Sequence, residues 1–299
     1  MAEILINSYA KINWTLDVLF KREDGYHELR TIYQSVSLHD RLRLTATEGA
    51  IEIVCHDPAV PCDETNLAHQ AACTLREATG AKGGARIEIE KRIPVAAGLG
   101  GGSSNAASVL QGLMLLWRVE IDERDLQGLA ARLGSDVPFF LVGGTALGVG
   151  RGEEVYPLED VQCEFLLLAN PGIAVSTANA YAKLSRLTRV ESPRIIPFSL
   201  EAARALYELP LKARNDFDEV VTLAHPEVAA LQRQLVELGA KRALVSGSGA
   251  TVFAVFDNLA TREQAQTTLR EAGIWASGVR TINRREYRAG LFGGKQPGR

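Results

Sequence analysis

The sequence predicts a protein of the α+β class, with strands grouped at the start of the chain and mixed with helices after them. Residues 3–55 contain alternating or short apolar runs, which are typical of strands. Residues 64–79 have helical spacing and end at Gly80, a residue suited to close a helix. The 299 residues suffice for one large domain or two smaller ones. A glycine-rich stretch from residue 143 could lead to a domain boundary.

The second half of the chain continues this mixed pattern. Short apolar runs at residues 164–169 and 278–282 predict strands, and two further apolar strands flank residues 246–249. Residues 226–238 and 261–272 have the spacing of helices. The α+β prediction therefore covers both halves of the chain.

Composition limits what the protein could do. The net charge is -3, with 33 basic and 36 acidic residues, so nothing suggests nucleic acid as a partner. The 4 cysteines form no Cys-x-x-Cys pair, and the 5 histidines are scattered, so neither a disulfide framework nor a zinc site is indicated. The N-terminus lacks a basic region with a long apolar core, and no apolar run approaches the ~20 residues of a membrane span. We therefore expect a cytoplasmic protein without a membrane partner.

Residues 94–105, with the sequence PVAAGLGGGSSN, are the most informative stretch. Residues 85–90 before them alternate like a half-buried strand, and apolar residues recur at helical spacing from Ala106 to Trp117. Glycines let backbone N–H groups approach an anion, and a helix N-terminus adds partial positive charge. Residues 103–105 could cap this helix or donate to an oxygen. The stretch therefore predicts a polyphosphate cradle.

Two common phosphate loops do not fit these residues. A Walker A loop needs a Gly-Lys-Ser/Thr sequence, and residues 94–105 contain no lysine. A dinucleotide fingerprint needs a third glycine where Ser103 stands, after a strand that is almost wholly apolar. A tight strand-to-helix connection without a ligand is the alternative, although a plain turn needs one or two glycines.

Lys11 and Asp136 are candidates for chemistry. Lys11 and Asn13 are two residues apart in a predicted strand, so both face one side, where they could grip an anion or orient a carboxylate. The alternative is a solvated polar face. Asp136 precedes Pro138 at a predicted helix start, where a carboxylate is held in its ionised form. The alternative there is a plain N-cap formed by Ser135 or Asp136.

Three further segments have both a functional and a plain interpretation. Tyr26 offers a ring for stacking and His27 ring nitrogens for hydrogen bonds, but such a pair is equally at home on an ordinary surface. Thr65 or Asn66 is expected to cap a helix, with a nucleotide contact as the second interpretation for either. Residues 246–249 (SGSG) predict a tight hairpin unless other evidence places them in a site.

In order along the chain, residues 8–13 (SYAKIN), 94–105 and 246–251 (SGSGAT) resemble the three motifs of the GHMP kinases, which include galactokinase and the homoserine, mevalonate and phosphomevalonate kinases. Residues 24–27 (DGYH) and 134–138 (GSDVP) resemble the members that phosphorylate the 2-hydroxyl of a cytidine diphosphate methylerythritol. That reaction is a step of non-mevalonate isoprenoid precursor biosynthesis. The resemblance covers nearly the whole chain.

The resemblance implies a two-domain GHMP kinase fold with the active site in the cleft between the domains. A ribosomal-S5-like N-terminal domain with the ATP loop is expected at residues 1–160. A ferredoxin-like C-terminal domain is expected at residues 161–285, followed by a tail at residues 286–299.

The resemblance also implies site residues. Lys11 and Asp136 would form the catalytic pair, and ATP would be the phosphoryl donor. Mg²⁺ is expected as well. Ser103 or Ser104 could contribute a ligand to it, and the sequence indicates no acidic ligand. The residues implied for the cytidine substrate are Asn13, Tyr26, His27, Thr177 and Tyr181. His27 would read the cytosine edge, and Tyr181 would face Tyr26 across the base. The residues implied for ATP are Asn66, Lys91, Pro94, Val95, Ala96, Ala97, Gly98, Leu99, Gly100, Gly101, Gly102, Ser103 and Ser104. A candidate phosphate-side loop comprises Ser246, Gly247, Ser248 and Gly249.

Two other functions are also compatible with the sequence. Another GHMP-type kinase could act on a different alcohol, although a simple polyol needs no base-stacking tyrosine at position 26. A non-catalytic nucleotide- or RNA-binding protein would leave Lys11 and Asp136 without a role and would call for a basic surface. We expect a monomer or a weak homodimer that acts on a small molecule.

Overall fold

The computed structural model describes residues 2–176, 179–181, 183–184 and 208–293. Its strands are β1 (Glu3–Lys21), β2 (His27–Thr47), β3 (Ile51–Cys55), β4 (Gly84–Glu90), β5 (Thr145–Val149), β6 (Glu154–Pro157), β7 (Leu166–Asn170), β8 (Arg214–Asn215), β9 (Arg242–Val245), β10 (Val252–Val255) and β11 (Trp275–Val279). Its helices are α1 (Leu67–Thr79), α2 (Gly101–Trp117), α3 (Glu123–Leu133), α4 (Phe139–Val142), α5 (Leu209–Lys212), α6 (Phe217–Ala224), α7 (Pro226–Glu237), α8 (Leu259–Glu271) and α9 (Arg284–Leu291).

The larger sheet is organised around β1 and β2, which form an antiparallel pair of 19 and 21 residues. Its order is β3–β4–β2–β1–β8, and β5 extends from β2 to reach β6. Helix α2 packs on one side of the pair. On the other side, Ile12 and Trp14 pack in a core shared with the smaller sheet, where the rings of Trp14 and Phe253 meet edge to face. Because side chains alternate along a strand, Lys11 and Asn13 face away from this core.

The smaller sheet has the order β11–β7–β10–β9, with every neighbouring pair antiparallel. Apart from α5 and β8, which lie between β7 and α6, the order along the chain is β7, helices α6 and α7, β9, β10, helix α8 and β11, which is the βαββαβ arrangement of ferredoxin-like folds. All five residues of β7 are buried, as expected for a short central strand that is apolar apart from Asn170 at its end. The prediction of a ferredoxin-like C-terminal part is confirmed.

Helix starts differ from the sequence predictions where side chains or glycines decide them. Helix α1 begins at Leu67 because the side chain of Asn66 accepts a hydrogen bond from the N–H of Ala68. Helix α2 begins at Gly101, so the prediction that residues 103–105 cap it is wrong: they lie within the helix. Within the described residues, no helix is long and apolar enough to cross a membrane.

The end of the chain returns to the larger sheet. A tail was predicted from residue 286, but Arg284–Leu291 forms helix α9, in which Tyr287 and Leu291 are buried. The ring of Tyr287 lies 5.4 Å from that of Tyr9 in β1. Residues 294–299 lie outside the described residues. Strand β8 also pairs with β1, so the second half of the chain contributes to both sheets. We propose a boundary near residue 160, between β6 and β7.

Candidate active site

A cavity of about 1200 Å³ lies where the two sheets meet. Its walls come from β1 and β2, the loop before α2, the segment after β7, and the loop between β9 and β10. The predicted site residues that line it are Lys11, Asn13, Tyr26, His27, Asn66, Lys91, Pro94, Val95, Ala96, Ala97, Gly98, Gly100, Gly101, Gly102, Ser103, Asp136, Tyr181, Gly247, Ser248 and Gly249. The fold therefore gathers the predicted ATP, substrate and catalytic residues in one place.

Of the predicted site residues that the structure describes, three do not join this lining. Leu99 packs in the apolar core, and Ser246 is wholly buried. Ser104 is buried beneath the loop, where its hydroxyl accepts a hydrogen bond from Ser8 at 2.7 Å. Thr177 lies outside the described residues.

Lys11 and Asp136 form an ion pair on the cavity wall. The distance between Lys11 Nζ and Asp136 Oδ2 is 3.2 Å, and the two side chains are 4% and 31% exposed. Lys11 and Asn13 are both buried, so a solvated polar face is excluded. Helix α4 starts after Pro138 without a side-chain cap, so the plain capping role for Ser135 or Asp136 is excluded as well.

A chain of hydrogen bonds fixes the position of Lys11. Lys11 Nζ donates to Asn13 Oδ1 at 2.8 Å, and Asn13 Nδ2 donates to the hydroxyl of Thr31 at 2.7 Å. That hydroxyl donates to the carbonyl oxygen of Thr15, also at 2.7 Å. Because each donor has a defined acceptor, the amide of Asn13 must turn its oxygen towards Lys11. The ammonium group is thereby aimed at Asp136.

Residues 94–100 form the loop before α2, called the glycine loop below, and this loop is fixed against β1. The N–H of Lys11 donates to the carbonyl oxygen of Leu99 at 3.0 Å. Gly100 has φ +68°, and a Cβ there would lie 2.8 Å from the Phe140 ring and 3.0 Å from Lys11 Cγ. Only glycine allows both this backbone conformation and this approach. Helix α2 then starts without a side-chain cap, so its first N–H groups and its dipole are available to an anion.

Lys91 lies beside the start of α2 and is held there by Asp40. A Cβ on Gly101 would lie 2.8 Å from Lys91 Nζ, which places the ammonium group against the first turn. Asp40 is wholly buried and lies 2.5 Å from Lys91 Nζ. Asp40 also accepts hydrogen bonds from the N–H groups of Arg92 and Ile93 and from the side chain of Asn105. The buried carboxylate of Asp40 thus connects β2 to the segment that leads into the glycine loop and to helix α2.

The second glycine loop, residues 246–249 between β9 and β10, forms the cavity wall on the side of the smaller sheet. Ser246 Oγ donates to the carbonyl oxygen of Gly98 at 3.1 Å, and the N–H of Thr251 donates to the carbonyl oxygen of Ala97 at 3.3 Å. A Cβ on Gly247 would lie 3.3 Å from Lys11 Nζ. Strands β9 and β10 do form the predicted hairpin, but its turn is also part of the site.

The side chains of Tyr26, His27 and Tyr181 form an aromatic wall of the cavity. His27 stacks on Tyr181, with ring centroids 5.0 Å apart and an interplanar angle of 24°. Tyr26 is 54% exposed, and the guanidinium of Arg151 lies 4.7 Å from its ring centroid. Burial, assisted by the charge of Lys21, lowers the pKa of His27. The rings that Tyr181 contacts here are those of His27 and Phe217, so its predicted placement across a base from Tyr26 stays a prediction.

Three residues that contact predicted site residues were missed by the sequence analysis. Tyr33 donates a hydrogen bond to Asp136 Oδ1 at 2.9 Å, and Asp40 and Arg151 have the contacts described above. Tyr33 and Asp40 lie in β2 amid ordinary strand residues, so no local motif marked them. Arg151 follows the glycines that suggested a domain boundary, and only the bend after β5 brings it to Tyr26.

Within the described ranges, no group of three or more His, Cys, Asp or Glu side chains is arranged to hold a metal ion. Asp40 is engaged by its four donors, and Asp136 by Lys11 and Tyr33. Ser103 lines the cavity at the first turn of α2, whereas the hydroxyl of Ser104 accepts a hydrogen bond from Ser8. Ser103 is thus the side chain best placed to contribute one oxygen ligand.

Comparison with known proteins agrees with this geometry. The family model described as the N-terminal domain of GHMP kinases matches residues 66–144, and the one described as GHMP kinases C terminal matches residues 200–274. The chain belongs to the GHMP kinase family. The predicted GHMP kinase fold is confirmed, and ATP is the phosphoryl donor in this family.

Similar GHMP kinases include curated and solved proteins of one name. A 4-diphosphocytidyl-2-C-methyl-D-erythritol kinase of Bacillus cytotoxicus is 42% identical over 95% of this chain and 99% of its own length. A kinase of the same name from Alkaliphilus metalliredigens is 38% identical over 96% and 99% of the two chains. A crystal structure of 4-(cytidine 5'-diphospho)-2C-methyl-D-erythritol kinase is 35% identical, covers 94% of this chain and 100% of its own, and superposes with a TM-score of 0.76.

Proposed function

We propose that this GHMP kinase transfers the γ-phosphoryl group of ATP to the 2-hydroxyl of 4-diphosphocytidyl-2-C-methyl-D-erythritol, in isoprenoid precursor biosynthesis. The observation that carries the proposal is the Lys11–Asp136 pair, which lies between a phosphate-binding loop and an aromatic wall in a single cavity. The relatives named as this kinase, aligned over nearly the whole chain, support the choice of substrate.

The ATP half of the site is proposed to be the glycine loop with the first turn of α2. Backbone N–H groups and the helix dipole suit the phosphates, and Lys91 adds a positive charge at the same turn. Asn66 lines the cavity, but its side chain caps α1 and donates to the carbonyl oxygen of Pro61. Its proposed contribution to ATP binding is therefore to shape the wall. The loop at residues 247–249 would face the phosphates from the other side.

The cytidine half is proposed to be Tyr26, His27 and Tyr181. The ring of Tyr26 is half exposed, so one of its faces can stack on a base. The guanidinium of Arg151 lies over the same ring. The lowered pKa of His27 favours a neutral imidazole, which can both donate and accept hydrogen bonds to the edge of cytosine. Asn13 lies nearer to Lys11 than to this wall and would meet the alcohol end of the substrate.

The chemistry follows from the catalytic pair. Asp136 would orient the 2-hydroxyl and take its proton as the bond from oxygen to the γ-phosphorus forms and the bond to the ADP oxygen breaks. Lys11 would offset the negative charge on the transferring phosphoryl oxygens. Lys11 is held by Asn13 before substrate arrives, so alignment of the groups needs little rearrangement.

Mg²⁺ is proposed as the accompanying ion. It usually binds one or two protein oxygens and takes its other ligands from phosphates and water. Ser103 can supply one such oxygen, so the residues present fit this ion. When bound, the ion would neutralise charge on the phosphates of ATP.

We also propose that the protein acts in the cytoplasm, with its 4 cysteines as free thiols. The predicted monomer or weak homodimer stays a prediction.

An assay of ADP formation with a panel of alcohols tests the proposed function. The panel contains 4-diphosphocytidyl-2-C-methyl-D-erythritol, methylerythritol without the nucleotide, homoserine and mevalonate. We expect turnover with the first alone. Turnover with another alcohol instead would indicate a different GHMP kinase activity. ATP binding without turnover on any acceptor would favour a non-catalytic nucleotide-binding protein.

A further inference from the structure

We propose that Tyr33 is a positioning residue that holds Asp136 in its reactive orientation; the inference rests on the proposed function. Tyr33 Oη donates to Asp136 Oδ1 at 2.9 Å, while Lys11 Nζ lies 3.2 Å from Asp136 Oδ2. The carboxylate is therefore held through both of its oxygens, one by β2 and the other by β1. Each oxygen retains a further acceptor direction for the substrate hydroxyl.

Tyr33 itself is rigid. It is 2% exposed, and its ring stacks on Phe139 with centroids 4.8 Å apart and an interplanar angle of 29°. Burial and the neighbouring charge of Asp136 raise the pKa of the Tyr33 phenol well above its ordinary value. The phenol therefore keeps its proton over the working range of the enzyme and acts as a fixed hydrogen-bond donor.

Asp136 needs such a second contact because nothing in its own segment fixes it. The residue precedes the four-residue helix α4 without capping it, and its side chain is 31% exposed. With Lys11 alone, the carboxylate could rotate about χ2 and turn its free lone pairs away from the substrate hydroxyl. A hydrogen bond to a charged group is among the stronger hydrogen bonds in proteins, strong enough to select one orientation.

Tyr33→Phe tests this role because it removes only the hydroxyl. We expect kcat to fall by about ten-fold, equivalent to about 1.4 kcal/mol in the barrier, with both KM values changed by less than about two-fold. The matched control is Tyr287→Phe, which removes a buried hydroxyl that donates to the carbonyl oxygen of Phe140 at 2.6 Å, outside the cavity lining. The control should lower Tm and leave kcat unchanged. An equal fall of kcat in both variants would overturn the inference in favour of a general structural role.

A double-mutant cycle separates action through Asp136 from independent effects. If Tyr33 acts through Asp136, adding Tyr33→Phe to Asp136→Asn should change the residual turnover by less than about two-fold. A further ten-fold loss would overturn the positioning role. Wild-type turnover with the cytidine substrate tests the proposed function separately. If the wild type is active and Tyr33→Phe has the same kcat, only the role of Tyr33 is refuted. An inert wild type refutes both the proposed function and the role of Tyr33.

Discussion

The hydroxyl of Ser246 donates a hydrogen bond to the carbonyl oxygen of Gly98 across 148 positions of sequence. This bond joins the glycine loop before α2 to the hairpin turn of the smaller sheet. The two loops thus form one continuous wall, and Lys11 lies against both of them, next to Gly100 on one side and Gly247 on the other. The shape of the proposed phosphate site therefore depends on how the two sheets are held together.

Gly98→Ala should damage this wall. Gly98 has φ +77°, and a Cβ would lie 2.1 Å from the carbonyl oxygen of Ser246, so the two loops would have to separate. We expect KM for ATP to rise by at least about ten-fold, because the phosphate-binding amides would move. Gly80→Ala is the control, since Gly80 has φ +68° with nothing within 4 Å of a Cβ. That variant should lose about 1 kcal/mol of stability and keep its kinetic constants. Equal KM values for ATP in the two variants would contradict the role of the Gly98–Ser246 contact.

Asp136→Ala should lower kcat by at least ~100-fold, the lower end for loss of a general base. Lys11→Met should also impair kcat severely, with less effect on the affinity for ATP. Lys241→Met is a control, because Lys241 forms an exposed ion pair with Asp257 that should contribute little. Steady-state kinetics and a thermal unfolding scan on each variant check the prediction. Near-normal turnover of folded Asp136→Ala would contradict the assignment.

His27→Ala should raise KM for the cytidine substrate far more than KM for ATP. His27 stacks on Tyr181 in the aromatic wall, away from the glycine loops. Its removal takes away both a ring and the hydrogen-bonding groups proposed to read the cytosine edge. Initial rates with each substrate varied in turn give the comparison, and parallel increases in the two KM values would count against this role.

The pH dependence of binding follows from the lowered pKa of His27. Burial and Lys21 disfavour the charged imidazole, so the folded protein releases this proton below the ordinary pKa of about 6.5. KM for the cytidine substrate should be flat above that value and rise only as pH falls through the lowered pKa. Between the lowered and ordinary values the unfolded chain binds more protons, so this group makes stability rise with pH there. A His27→Gln variant should lose the rise in KM, and an unchanged rise would assign it to another group.

Asp40→Asn should be costly because it leaves Lys91 buried without its partner. The side chains are 0% and 7% exposed, and loss of one member of such a pair costs ~3 kcal/mol or more. KM for ATP should rise as well, since Asp40 also holds the backbone at Arg92 and Ile93. Denaturant unfolding provides the measurement. Adding Lys91→Met should recover part of the stability but not the affinity for ATP; no recovery would mean that Asp40 acts mainly through the backbone.

Local patterns predicted those parts of the site that local geometry determines. Lys11 and Asn13 were placed on one face by the two-residue period of a strand, and the structure has both on the cavity wall. The glycines of residues 94–105 and the helix that follows predict an anion site; most of these residues line the same cavity, and anion binding itself stays a prediction. The start of α2 was predicted too late, because glycines that begin a helix have the same composition as a loop.

Contacts made by the tertiary structure could not be predicted in this way. Tyr33 reaches Asp136 across 103 positions and Asp40 reaches Lys91 across 51, and each is an ordinary residue of β2 until the fold places its partner. The predicted tail from residue 286 is wrong for helix α9, whose sequence is mostly polar. Its burial rests on two side chains, Tyr287 and Leu291, that pack on β1 and α4 only after the chain returns to the larger sheet.

The position of the transferred phosphate tests the central claim most directly. Phosphorus-31 and carbon-13 NMR of the product formed from ATP and 4-diphosphocytidyl-2-C-methyl-D-erythritol would locate the new phosphate ester. The account predicts a single product with the phosphate on the oxygen of carbon 2, formed by the wild type and abolished in Asp136→Ala. A phosphate on any other oxygen, or ADP released without a phosphorylated product, would contradict it.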